Sequence, residues 1–564
     1  MCKHSIASFS MYLRHIFLLT GMLAAQIAPG QIYVNGSIAG YDRHSNTFLA
    51  TIPQNQWGKT CQLHITVSDS AHWENTEVNG QSVETPVVIE NMLPDKSYPI
   101  SANIGDSVVS SLLEFTYLPI IFLHGEFGLE DTLGTVVLQQ PDTEPEEMLA
   151  QIRWRGSTTN QPFKHKRNYK LNFVNKKGEK VKRRFFSLRK DDDWILDAGQ
   201  ADMFRLRNHI AAWLWDDFAT KPYYARHDSD IHTSSRGHVV ELFLNDEYSG
   251  IYNLCEPIDQ KQLKVREFDP LTGEIHGGVW KAVGWEGATF EALPPPYDNT
   301  LSEWGDFELK YPKIEDLCPS DYSTLYNAIE FVVNASKDEF KEQISNYIDL
   351  PVFYDYILFM NVLDAFDLAG KNLYWAVYDK QENKMLTLAV WDLDATMGQS
   401  FSHEPPPHPP YVSYDSWPML PTKIGLQLFI FNHLQFRQSI ADRYFNLRKD
   451  VFSFANLFGR YQACYDFISG CGATTREERR WSGDSDIEGL KLDFREELAF
   501  IYEWLDQRLQ HLDRFFSDPV SVRNIPTAPT LDKMVTPFGA PVEPSYHGIV
   551  ITQGRKYMFN HRQN

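Results

Sequence analysis

The residues best suited to chemistry lie in one run, NVLDAFDLAGKNLYWAVYDKQENKMLTLAVWDLDATMG, residues 361–398. Asp367 is followed five positions later by Asn372. Asp392, Asp394 and Gly398 come after two strand-like runs, LYWAVYD and MLTLAVWD. Phosphoryl transfer needs groups of this kind. A carboxylate accepts the proton of an incoming hydroxyl, while an amide oxygen and another carboxylate hold Mg2+ against phosphates. Asp392 and Asp394 emerge from the apolar run LTLAVW, which reads as a buried strand. Carboxylates at the mouth of a buried strand need a partner, commonly a metal or a cation. The spacing alone is common, and an acidic loop also serves as a calcium site or a surface turn.

A basic segment supplies the complement. Arg153, Arg155, Gly156, Ser157 and Thr158 read as a strand running into a turn, with glycine at the bend. Glycine there lets backbone N–H groups approach a phosphate. KHKRNYKLNF follows and brings Lys164, Lys166, Arg167 and Lys170. Lys170 alternates with Tyr169 and Leu171 on a strand, from which an ammonium can reach phosphates. The other reading is a solvated basic edge strand. Glu256 follows the apolar run GIYNLC. It can pair with the strand lysine, face a nucleotide, or form a structural salt bridge.

These residues need elements to hold them. Residues 31–118 read as a small all-β sandwich, with short β-branched runs divided by Asn35-Gly36, Asn79-Gly80 and Pro94-Asp95. A β-rich section opens at Pro119, interrupted by helical periodicity over Gln200–Phe218 and, more weakly, Asp259–Glu267. A Pro/Gly/Trp-rich stretch, residues 284–306, leads to a mainly helical section from about Asp321 to 517. Residues 518–564 read as a linker and short β tail. In the loop HEPPPHPPY, His403 and His408 are candidate metal ligands or plain solvated histidines.

Composition narrows the class. The chain has 564 residues, 43% apolar and 14% aromatic, which indicates a folded protein of several units. A net charge of −21 argues against nucleic acid as a partner. Lys3, Arg14 and His15 precede the apolar run IFLLTGMLAAQIA, with small residues after it, the layout of a secretory signal over residues 1–30. The expected location is therefore outside the cytoplasm: periplasmic, cell-surface or secreted. No later stretch is long and apolar enough for a transmembrane span in the mature chain. Beyond Cys2, five cysteines remain, at 61, 255, 318, 464 and 471, too few and too odd in number for a disulfide framework.

The Asp367, Asn372 and later aspartate order matches that of protein kinases, whose catalytic-loop Asp and metal-binding Asn share this spacing. More closely, the segments IRWRGSTTNQPFKHKRNYKLNF, WILDAGQADMFRLRNHIAAWL, VELFLNDEYSGIYNLCEPID, DLAGKN and WDLDATMG resemble, in order, the motifs of the CotH (spore coat protein H) kinase family. The resemblance implies an α+β, divergent protein-kinase-like fold over residues 119–517, with a β-rich N-lobe and a helical C-lobe. It implies ATP, Mg2+ or Mn2+, and transfer of phosphate to protein Ser or Thr. By motif, Asp367 would be catalytic, and Asn372 with Asp392 or Asp394 would bind metal. Arg155, Gly156, Ser157, Lys166, Arg167, Lys170 and Glu256 would serve the nucleotide, with Lys170 the first candidate for the phosphate lysine. The sequence departs from ordinary kinases in having one glycine at the turn and no His-Arg before Asp367. The tail, MVTPFGAPVEPSYHGIVITQGRKYMF, resembles the end of Bacteroidetes C-terminal sorting domains, which implies surface association. Two other readings are a non-catalytic cell-surface or adhesion protein on the same fold and a carbohydrate-active or calcium-binding surface protein.

Overall fold

The computed structural model describes residues 31–68, 72–157, 159–284, 287–313, 320–399, 412–416, 419–517, 547–552 and 555–560. The apolar run before residue 31, Cys318, and the loop carrying His403 and His408 lie outside the described residues.

Residues 32–116 form short strands in sheets of three, six and two strands. Ile32, Phe48, Leu63, Val78, Tyr98 and Phe115 share one apolar core. The Ser107–Thr116 strand ends beside Glu114, which accepts hydrogen bonds from Arg479 at 3.1 and 3.2 Å. Tyr117 donates to the Phe467 carbonyl, so the first sheets are tied to a helix some 350 residues later in the chain.

The β-rich section closes into a barrel of seven strands. In spatial order these are Ile120–His124, Thr132–Gln139, Glu146–Arg155, Asn168–Val174, Asp193–Asp197, Glu247–Cys255 and Gly237–Leu244. The last pairs in parallel with the first and closes the ring. The β-rich section expected from the sequence is thus a closed barrel, and closure was not legible because a parallel partner more than 100 positions away leaves no local signal. Alternation fixes the faces. Tyr169, Leu171 and Phe173 point into the barrel, so Asn168, Lys170 and Asn172 point out.

The mixed α+β character is clear after the barrel. Five strands form a second sheet in the order Glu303–Trp304, Phe307–Tyr311, Gly278–Ala282, Leu373–Val377 and Thr387–Val390. Helices Ser323–Asn334, Leu350–Leu363, Thr422–Phe431, Phe436–Arg448, Phe454–Ser469 and Phe494–Ser517 share a single large apolar core with part of that sheet. No helix among the described residues is long and apolar enough to cross a membrane. Cys61, Cys255, Cys464 and Cys471 are free thiols. The tail strands His547–Thr552 and Arg555–Asn560 pair antiparallel.

The helix expected over Gln200–Phe218 begins at Arg207. Asp202 explains the late start. Its carboxylate accepts from the Phe204 and Arg207 backbone N–H groups at 2.8 and 2.7 Å, and Arg205 takes a left-handed φ of 62°. The local hydrogen bonds of Asp202 thus outcompete the first helical turn. Around Asp259 the helix shrinks to Gln260–Leu263, capped by the Asp259 side chain.

The helix Ala473–Trp481 clamps the barrel to the rest. Buried Glu477 accepts from Lys166 Nζ at 2.6 Å, Arg205 Nε at 2.7 Å and the Ile251 N–H at 2.7 Å. Gly250 makes this approach possible: its φ is +101°, and a Cβ there would sit 1.9 Å from Glu477 Oε2. Arg476 grips Glu241 with two hydrogen bonds, at 2.8 and 3.0 Å.

Two histidines give the fold a pH dependence. Burial lowers His209 to about 4, with His238 adding repulsion and Asn253 opposing it. Burial also lowers His238 to about 4, and its ring stacks on Phe186 at 3.7 Å. Both folded values lie below the unfolded value, so between the two the unfolded chain binds protons that the folded chain does not. Stability therefore rises with pH through that window and is lost on acidification from about 6.5 towards 4. The melting temperature of the His209→Gln variant should depend less on pH across this window than that of the wild type.

Candidate active site

The acidic motif sits where the second sheet meets the outer face of the barrel. The Leu350–Leu363 helix ends at Asp364 in a left-handed conformation. A tight turn, Phe366–Leu368, then presents Asp367. Asn372 opens the next strand with φ +58°, its N–H held by the Ala282 carbonyl at 3.0 Å. Its side-chain amide donates to Asp367 Oδ2 at 2.6 Å, and Lys371 Nζ lies 3.2 Å from Asp367 Oδ1. The five-residue spacing thus becomes a direct contact. At the far end of the hairpin, the Trp391 N–H donates to the Asn372 carbonyl at 3.1 Å, which delivers Asp392 beside the turn. Asp392 takes φ +63°, a left-handed turn that ends the strand and lets the chain fold back.

The barrel and its following segment add residues that sequence reasoning missed. Asn208 donates to Asp197 Oδ2 at 2.8 Å and accepts from the Leu393 N–H at 3.1 Å. Arg207 donates to the Thr396 carbonyl at 3.0 Å, and Gln399 pairs with Ala201 and Met203. The segments 197–208 and 393–399 are therefore locked together by polar contacts. Asp197 at a strand end followed by Arg207-Asn208 was the available signal, since polar residues at a strand terminus next to a helix start are candidates for a site.

Negative charge is concentrated here. Burial raises the Asp394 carboxyl well above the usual carboxylate range, and Asp392, Asp197, Asp202 and Asp367 each raise it further. Its Oδ1 is shielded from solvent and makes no hydrogen bond. Burial also raises Asp197, against the Asn208 and Gly199 hydrogen bonds, with Asp392 raising it and Arg155 lowering it. An orphaned, repelled carboxylate oxygen fits a cation ligand. The residues present therefore fit a divalent metal, which Asp392, Asp394 and Asn372 could hold. Asp367, Asp392 and Asp394 are not drawn into the tightest cluster, however. Among the described residues, one group of three acidic or histidine ligands has its ligand atoms within 4.8 Å of one another: His165, Asp484 and Asp486. There His165 Nδ1 lies 2.8 Å from Asp484 Oδ2, and Asp486 Oδ2 accepts from the His165 and Lys166 N–H groups.

The basic segment divides into committed and open charges. The Arg155 guanidinium stacks on the Trp391 ring at 4.6 Å, next to Asp392 in the chain. Gly156 and Ser157 are exposed at the turn. Gly156 has φ +103°, and a Cβ would lie 2.2 Å from Thr159 Oγ1, so the turn requires glycine. Lys166 is buried against Glu477 and the Ile251 carbonyl, at 2.6 and 2.8 Å. Arg167 stacks on Trp154 at 3.7 Å and donates to the Thr159 and Pro162 carbonyls, closing the loop after Gly156. Lys170 pairs with Asp193 at 3.1 Å. Glu256 is fully buried and holds Arg236 at 2.9 and 3.0 Å, while also accepting from the Arg189 N–H. It does not pair with the strand lysine.

The model of the family described as CotH kinase protein matches residues 152–512, from the barrel through the last long helix. The chain belongs to this family. The match includes Arg155, Asp367, Asn372, Asp392 and Asp394, so the CotH-kinase region contains both the turn and the acidic cluster. Among curated proteins nothing matches. Among solved structures, a chimeric titin Z1Z2 functionalized with a KLER exogenous peptide from decorin is 10% identical, covering 26% of this chain and 92% of that chain with a TM-score of 0.09. An overlap that small carries no argument about the CotH-kinase fold.

Proposed function

We propose that this CotH-family chain is an exported, metal-dependent protein kinase that transfers the γ-phosphoryl group of ATP to a Ser or Thr hydroxyl. The observation that carries this reading is the meeting of Asp367–Asn372 with half-buried Asp394, whose shielded Oδ1 has no hydrogen bond, and with Arg155 stacked on Trp391. Family membership supports kinase-type chemistry. On this reading the barrel does the work of a kinase N-lobe and the helical section that of a C-lobe. The signal-like run before residue 31 and the sorting-like tail support export and surface association.

Each group has a task. Asp367 accepts the proton of the attacking hydroxyl, and the Asn372 amide fixes the carboxylate's orientation through the 2.6 Å hydrogen bond. The acceptor oxygen forms a bond to the γ-phosphorus, the bond to the β–γ bridging oxygen breaks, and ADP leaves with that electron pair. Asp392, Asp394 and Asn372 would hold a divalent cation, which when bound supplies neutralisation of phosphate charge. Arg155 offers a guanidinium whose plane is already set by Trp391, suited to a phosphate oxygen.

The test uses the full chain with labelled ATP, Mg2+ or Mn2+, and generic protein acceptors. Label should pass to acceptor or to the chain itself, and nucleotide with metal should raise the melting temperature. Absence of both effects would overturn the reading.

A further inference from the structure

We propose that Lys281, and not a lysine of the barrel, is the lysine that binds the nucleotide's phosphates. This rests on the phosphoryl-transfer reading above and names a ligand-binding residue within it.

Lys166 is buried on Glu477, Lys170 is paired with Asp193, and Lys371 is held by Asp367. Lys281 is different. It lies on the Gly278–Ala282 strand, between Phe307–Tyr311 and Leu373–Val377, opposite Glu308 and Tyr374. The next residue, Ala282, is the one whose carbonyl holds the Asn372 N–H. Lys281 is thus anchored one position from the acidic turn by the same backbone that positions it.

Its side chain is half-buried, with the ammonium 6.0 Å from the Tyr374 ring centroid. Among the described residues it makes no hydrogen bond and no ion pair; Asp392 acts on it only through the field. The groups around it are Asp392, Arg155, Lys310 and Glu308, of which Lys310 is taken by Glu308. Arg155 and Lys281 therefore lie near each other, with Lys281 in the field of Asp392 and Arg155 stacked on the residue before it. A half-buried ammonium with no protein partner, beside a second cation, is open to a ligand anion. Burial, opposed by Asp392, brings the ammonium down to about 8, so it remains mostly charged at neutral pH. A polyphosphate fits this arrangement: its oxygens can meet both cations while a metal joins it to the carboxylates.

The experiment measures ATP and ADP affinity of the full chain by calorimetry with Mg2+, for the wild type, Lys281→Met, Lys281→Gln and Lys170→Met. Loss of a charged phosphate contact should weaken ATP binding by roughly thirtyfold or more in both Lys281 variants, and Lys170→Met should stay within about threefold. The melting temperature without nucleotide should be unchanged or raised in the Lys281 variants, since no partner is lost. If Lys281→Met and Lys281→Gln bind ATP as the wild type does, this inference fails while the kinase reading stands. If the wild type itself binds no nucleotide, the kinase reading fails and takes this inference with it.

Discussion

Asp394→Asn should leave a protein that melts no lower than the wild type without metal, yet loses metal-dependent stabilisation and roughly a hundredfold or more of phosphoryl transfer. The carboxyl sits among Asp392, Asp197, Asp202 and Asp367, with Oδ1 unpaired. An amide of the same shape removes the repelled charge. The sign follows from linkage. The folded carboxyl titrates above the unfolded one, so the folded state binds the proton more tightly, and the wild type's stability from this group falls as pH rises out of the usual carboxylate range. The variant should lack that decline. Asp367→Asn provides the contrast, because it should keep nucleotide-dependent stabilisation while losing transfer. Melting curves with and without Mn2+, at several pH values, together with labelled-ATP assays, separate the two roles. A variant at Asp394 that still shows the full metal-induced shift would remove it from the ligand set.

Glu477→Gln should destabilise the protein by about 3–5 kcal/mol, enough to reduce soluble yield. Glu477 is completely buried, and its carboxylate holds Lys166, Arg205 and the Ile251 N–H. Neutralising it strands the buried Arg205 guanidinium and takes away the carboxylate that opposes the burial bringing Lys166 down to about 7. Glu477→Asp should be destabilising too, because the shorter side chain withdraws from Gly250, where the chain was cleared for its approach. Chemical denaturation of each variant, compared with Lys166→Met/Glu477→Leu, checks the origin of the loss. The double variant removes Glu477 together with Lys166 and leaves Arg205 on the Gly199 and Gln200 carbonyls, so it should recover part of the stability lost in Glu477→Gln.

Much of the acidic turn was legible in the sequence because its geometry is local. Asp367 and Asn372 lie on one turn, and the hairpin between Leu373 and Val390 returns the chain to the same place, so spacing alone predicts that Asp392 arrives there. The Gly156 turn and the strand alternation around Lys170 are local as well. The late start of the Arg207–Phe218 helix was harder, since helical periodicity cannot register a side chain such as Asp202 that binds the backbone N–H groups first.

The sequence by itself determined the family, the acidic turn and the expected chemistry, because each is written in short-range order. Only the tertiary structure decided which charges are available for that chemistry. Lys166 and Lys170 look free in the sequence, but Glu477 arrives from more than 300 residues away and Asp193 from the neighbouring barrel strand. Whether an ammonium is spent on the fold or left for a ligand depends on the counter-charge that folding places beside it, and for Lys281 none of the described residues lies within ion-pair distance.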